Sequence, residues 1–209
     1  MHLWGIFGGL KRWICFVGCI ASMGAAAQDW AQFSCPVADF IVPGDWQVLS
    51  SKEKQEIAHR AEVLMRPQGI EAGDSYASKV RHLVMREPSV PTQALIRFVT
   101  QRGEVAADIR GALTDDEVFR GVSEAIRTSY PQVIPNFLWF ESVSREQING
   151  ISYFRREQLD TQAVWQVRMY MMPLSGDRWA TLTLSNDVSA SEAIKTAVLA
   201  PARTLQLKR

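Results

Sequence analysis

Apolar and polar residues alternate most cleanly in the last third of the chain. From Ala163 to Met172, Trp165, Val167, Met169 and Met171 alternate with Gln166, Arg168 and Tyr170. A period of two marks a strand with one buried face and one face at least partly wet. Arg178 to Ser185 repeats it, with Ala180, Leu182 and Leu184 set against Thr181 and Thr183. Ile151 to Leu159 reads as an earlier strand, and Ser175–Gly176–Asp177 supplies a turn. Ile148–Asp187 is therefore expected to be a meander of three antiparallel strands. Asn149–Gly150 tolerates the positive φ of a tight hairpin turn and would join it to a strand at Leu138–Arg145.

Elsewhere the period lengthens to that of helices. Ser50 with Glu53 forms a capping box, followed by Ile57, Ala61, Leu64 and Met65, and Pro67 is expected to end that helix near Arg66. Thr114 with Glu117 opens a second helix carrying Val118, Val122, Ala125 and Ile126, closed at Tyr130–Pro131. Ser189 with Glu192 opens a third, with Ala193, Ile194, Ala197 and Val198, limited by Pro201. Phe40–Val42, Lys79–Glu87 and Ala94–Thr100 read as strands, Gln28–Ser34 as a lead-in, and Gln101–Ala112 has no clear period. The sum is an α+β fold, a central antiparallel β-sheet flanked by helices in a sandwich.

The first 27 residues stand apart. Lys11 and Arg12 precede an uncharged run from Trp13 that ends in Ala25–Ala26–Ala27. A basic start, an apolar middle and small residues at the end describe a secretory signal peptide. The run is shorter than the roughly 20 residues a membrane span needs. Cleavage after Ala27 is expected, leaving 28–209 as a single α+β domain, exported to the periplasm, with no integral membrane segment. Cys19 after Gly18 raises lipid anchoring, but the apolar stretch before it is too short for that to be the preferred reading.

Charge and cysteine content narrow the functions. The whole chain carries a formal net charge of +1, and removing the two basic residues of the leader leaves one more acidic than basic residue. Such a balance gives no global electrostatic attraction to nucleic acid. Cys35 alone remains after the leader, so no intramolecular disulfide can form, and the residue reads as a small apolar side chain beside Phe33, Val37 and Phe40.

Catalytic signatures are sparse. His59 and His82 are isolated, and no paired His, Cys pair or acidic calcium loop accompanies them. No Gly–x–Ser–x–Gly or Gly-rich phosphate loop occurs in 28–209. Asp115–Asp116–Glu117 reads as a helix start, where the dipole favours negative charge. No catalytic, cofactor-binding or metal-binding residue is assigned, and no cofactor is expected. Arg155, Gln166, Arg168 and Tyr170 are the candidate interaction surface, with Trp139, Phe140, Tyr153 and Phe154 as neighbouring aromatics. An alternative is a dispersed hydrolase or metal site drawing on Cys35, His59 and His82. Another is a small-ligand pocket lined by Trp165, Met169 and Met171.

The late strand–turn–three strands–helix order resembles the PsbP-like superfamily, which takes in the bacterial DcrB-like proteins. Phe40–Ile41–Val42–Pro43–Gly44–Asp45–Trp46 is similar to that group's opening strand. The resemblance spans Asp39 to Leu207, with Gln68–Ser78 and Gly103–Leu113 departing from it. It implies a mostly non-enzymatic module for binding or assembly. The expected function is an exported, non-catalytic accessory protein of the bacterial envelope that acts on a protein partner.

Overall fold

A computed structural model describes residues 29–56, 83–145, 150–156 and 162–208. The expected leader, both histidines of 28–209, and Asn149 of the expected hairpin turn lie outside the described residues. So do the rest of the helix expected to run to Arg66 and the residues before Leu83 of the strand expected at Lys79–Glu87.

The three strands read from alternation are present as β7 (Gly150–Arg156), β8 (Val164–Pro173) and β9 (Arg178–Asp187). β6 (Phe137–Ser144) pairs with β7 on the outer side. The meander is only part of the sheet. β5 (Ala94–Arg102) pairs along the whole of β9, and β4 (Leu83–Arg86) and the short β3 (Gln47–Val48) extend it. The result is a seven-stranded antiparallel sheet ordered β3-β4-β5-β9-β8-β7-β6. Early and late halves of the chain thus meet in the β5–β9 pair at its centre.

A second sheet of three strands lies outside that one. The lead-in forms β1 (Trp30–Ser34), which pairs with β2 (Ala38–Pro43), and β2 also takes the C-terminal β10 (Gln206–Leu207). This sheet and the last helix cover what we call the front face of the large sheet. Phe40 and Val42 of β2 share a core with Ile96 and Phe98 of β5 and with Leu182 and Leu184 of β9. Ala197 and Val198 of the last helix close it.

Four helices occur among the described residues. α1 begins at residue 51, and its described part is 51–56. The expected capping box is there: the Glu53 carboxylate accepts from the Ser50 amide and hydroxyl at 2.8 Å each, and the Glu53 amide donates to Ser50 Oγ at 3.3 Å. α2 (Val105–Thr114) occupies the stretch whose period was unclear. α3 (Asp116–Val133) and α4 (Glu192–Thr204) follow the expected helices with shifted ends. Thr114 closes α2, and Asp115 caps α3 by accepting from Glu117 and Val118 amides. Ser191 caps α4, while Ser189 hydrogen-bonds Asp187 instead. Pro131 and Pro201 lie inside the last turns of α3 and α4 rather than stopping them. A proline so near a helix end forfeits one bond to the preceding turn, and each helix ends within three residues of it.

α2 and α3 pack on the back face. The turn between them is a single residue, Asp115, so the helices approach closely. A Cβ on Gly111 would lie 2.9 Å from Val118 Cγ1, which is why glycine sits inside α2 despite its cost there. Ala106 and Ile109 of α2 bury Trp179, and Ile126 of α3 packs with Ile151, Tyr153, Trp165 and Val167.

Tyr130 of α3 faces Phe140 and Tyr153, with ring centroids 6.1 and 6.0 Å away. Burial, and then the neighbouring Tyr153, push its hydroxyl up from 10.0 to about 12. A raised folded-state value gives stability that is whole below pH 10 and is lost as pH climbs through 12. The unfolded chain ionises there first. A loss of about 2 kcal/mol across that window is expected, at 1.36 kcal/mol per pH unit less a discount for partial exposure. Urea unfolding at a series of alkaline pH values should show it for the parent chain and show it diminished in Tyr130→Phe. Equal losses in the two would remove Tyr130 as its source.

Candidate functional site

Cross-strand register decides which candidate residues share a face. On β8, Trp165, Val167, Met169 and Met171 point to the back, and Gln166, Arg168 and Tyr170 to the front. Gln166 stands opposite Phe154, Arg168 opposite Ser152, and Tyr170 opposite Gly150. Arg155 stands opposite Trp165. It belongs to the back face, so the expected four-residue surface divides three to one. The adjacent Arg156 has the front-face parity.

The aromatics divide in the same way. Phe140 and Tyr153 lie beneath α3 with Tyr130. Trp139 and Phe154 stack at the front, 5.0 Å apart and 29° from parallel, and Trp139 is 52% exposed. The front cover reaches Tyr170 and Met172 of β8. Beyond them, Trp139, Glu141 and Ser142 of β6 are exposed, and Phe154, Gln166 and Arg168 are half-buried.

A continuous polar chain crosses four strands beside the stacked rings. Ser152 Oγ and Gln166 Nε2 both donate to Glu141 Oε2, the latter at 2.6 Å. Arg168 donates through Nη2 to Gln166 Oε1 at 2.5 Å and through Nη1 to Asn186 Oδ1 at 3.2 Å. Asn186 is buried and donates to the Asp187 carbonyl at 3.0 Å. The Ser152 hydroxyl is the main cause holding the Glu141 carboxyl below its usual range. Partial burial opposes it, and Gln166 and Arg168 add to it. Glu141 therefore stays ionised at neutral pH and is a poor proton donor. Each member fixes the next, so little ordering remains to be done when the surface is engaged.

Two hollows adjoin this chain. One of about 130 Å³ is lined by Glu141, Ser152, Arg168 and Tyr170. Another, of about 660 Å³, is open and lies against Trp139, Phe154, Val164 and Val188. Glu141, Ser152 and Asn186 were not singled out from the sequence because they come from three different strands. The one local signal was a carboxylate in the otherwise uncharged strand Phe137–Ser144.

The alternative sites fare differently. Trp165 is 3% exposed in a core that Met169 and Met171 also fill, so side chains occupy the space proposed for a carrier pocket. Cys35 is half-buried against the front core, while His59 and His82 lie outside the described residues. Among the described residues no group of three or more His, Cys, Asp or Glu could hold a metal ion. Likewise, no helix among them is long and apolar enough to cross a membrane.

No family model matches the chain, and no curated protein matches it. A crystal structure of a protein from Bacteroides thetaiotaomicron VPI-5482 matches at 12% identity with a TM-score of 0.36. The match covers 85% of this chain and 48% of that one, so the chain spans about half the neighbour's length. A likeness this distant carries no functional argument.

Proposed function

We propose that the protein is an exported, non-catalytic recognition module of the bacterial envelope that binds a protein partner through the front of β6, β7 and β8. The observation that carries this reading is the exposed Trp139, stacked on Phe154 next to the Glu141–Gln166–Arg168–Asn186 chain. Tryptophan and arginine are the side chains most enriched at energetic centres of protein interfaces. A rigid aromatic anchor bordered by satisfied polar groups matches the layout of such centres. The leader of basic, apolar and small residues supports the address. The PsbP-like resemblance supports a binding role over a catalytic one.

The test compares capture of partners from envelope extracts by the parent chain, Trp139→Ala and Arg155→Ala. One partner is expected to bind the parent and Arg155→Ala and be lost by Trp139→Ala. Titration with the purified partner should then show a loss of about 2 kcal/mol, roughly thirtyfold in affinity. Identical capture by both variants would overturn the assignment of the front face. A partner resident only in the cytoplasm would overturn the address.

A further inference from the structure

A cleft of about 820 Å³ opens at the other end of the front layer. Its walls are the end of β10, the last turn of α4 and the β8–β9 turn, with Val37 before β2. The volume lies within the range of small-molecule sites. Val37, Leu174 and Leu205 form the floor, and all three pack on the front core. The floor is thus continuous with the interior and apolar.

The rim is cationic. Arg178, Arg203 and Lys208 line it, and no carboxylate is among the lining residues. Lys208 is committed, with Nζ 2.8 Å from both Asp39 Oδ1 and Ser34 Oγ. The two arginines are not. Arg178 reaches only the neutral Ser175 Oγ, at 3.2 Å. Its cross-strand partner on β5 is another guanidinium, Arg102, and like charges placed directly opposite destabilise a sheet. Arg203 is exposed in the last turn of α4, where the helix dipole alone would favour a cation. Neither Arg178 nor Arg203 has a carboxylate partner among the described residues.

A fourth cation approaches from the back. Arg110 of α2 donates to the Leu174 carbonyl at 2.7 Å and the Gly176 carbonyl at 2.5 Å, in the same turn. Asp177 is the one acidic residue of that turn. Among the described residues, more positive charge is gathered here than is neutralised, above an apolar floor.

From this charge surplus over an apolar floor we infer that the cleft binds a single-chain anionic amphiphile as a monomer, with its head on Arg178 and Arg203 and its chain along Val37, Leu174 and Leu205. A neutral apolar ligand would leave the two guanidinium groups without a counter-charge. A small inorganic anion would leave the floor in water. A bidentate carboxylate or phosphate head suits the planar fork of arginine. This site is separate from the recognition face on β6 to β8 and stands or falls independently of it.

Calorimetric titration of the purified chain with decanoate and with decanol tests the inference. Saturable one-to-one binding of decanoate is expected, with decanol at least tenfold weaker. The Arg178→Gln/Arg203→Gln double variant should lose at least tenfold in decanoate affinity and keep its decanol affinity. Arg203→Gln alone, at an exposed helix end, should lose part of the decanoate affinity with an unchanged melting temperature. Absence of saturable decanoate binding would overturn the inference, as would equal affinity in the double variant. Binding only to vesicles containing phosphatidylglycerol would also overturn it, in favour of docking on a lipid surface.

Discussion

Phe40→Ala is expected to remove about 3–5 kcal/mol of unfolding free energy, the range for truncating a buried phenylalanine. Phe40 is 1% exposed and lies between the two sheets. Its ring is 4.7 Å from Phe33 on β1 and 5.5 Å from Phe98 on β5. The small sheet joins the large one through this contact and its neighbours, so the cavity would open at the seam between layers. β2 is held at its edges by β1 and β10 and cannot sink inward to fill it. A fall of roughly 10 °C in melting temperature corresponds to such a loss in a domain of this size. The adjacent Ile41 has the opposite parity and is exposed, so Ile41→Ala is the matched control, expected to stay within about 0.5 kcal/mol of the parent. Comparable losses for the two would mean that the small sheet does not seal the core.

Glu87→Ala is expected to cost about 3 kcal/mol, for a reason unrelated to packing. Glu87 is 5% exposed and stands just after β4. One carboxylate oxygen accepts from the Ser89 amide at 2.5 Å, the other from the Gln93 amide at 2.7 Å. Its own amide donates to the Ala94 carbonyl at 3.1 Å. The side chain thereby ties both ends of the 88–93 connection between β4 and β5. Hydrogen bonds to a charged acceptor contribute about 1.5–3 kcal/mol each, and removing the acceptor leaves the amides unpartnered. Glu87→Gln keeps one carbonyl oxygen and turns an NH2 group toward the other amide, so an intermediate loss is expected. Urea denaturation of the three proteins checks the order. A parent-like midpoint for Glu87→Ala would show that water replaces the carboxylate.

Local rules were sufficient where one element is specified by its own residues. The unbroken alternation on β8 placed Trp165 and Val167 inside and Gln166 and Arg168 out. The same pattern on β9 did not leave a wet face: Thr181, Thr183 and Ser185 are buried as well, because β9 lies at the centre of the sheet between β5 and β8. The pairing of β5 with β9 was not legible, because no local feature of Ala94–Arg102 names its partner. α2 was missed because its buried residues, Ala106, Ile109 and Ala112, are mostly small. In addition, Glu104 makes no side-chain cap, and Gly111 interrupts the helical preference. Two caps were displaced by one or two positions where several oxygen-bearing residues stand close together, Thr114 beside Asp115 and Ser189 near Ser191. Spacing cannot choose among them; the angle at which the chain enters the helix does. Arg155 was grouped with the wrong face for a related reason. Parity holds within a strand, but carrying it to the next strand requires the length and geometry of the turn between them. Glu141, Ser152 and Asn186 became visible as site residues only once four strands were laid side by side.

The pairing of β2 with β10 has a consequence for the order of events during synthesis. Ile41 donates to Thr204 Oγ1 across 163 residues of sequence, and Asp39 meets Lys208. The front core is bounded by elements from opposite ends of the domain, and α4 supplies part of its wall. A ribosome must therefore release the chain through residue 208 before this layer can close, and contacts of such long sequence separation form slowly. The nascent chain carries its apolar strands open throughout elongation.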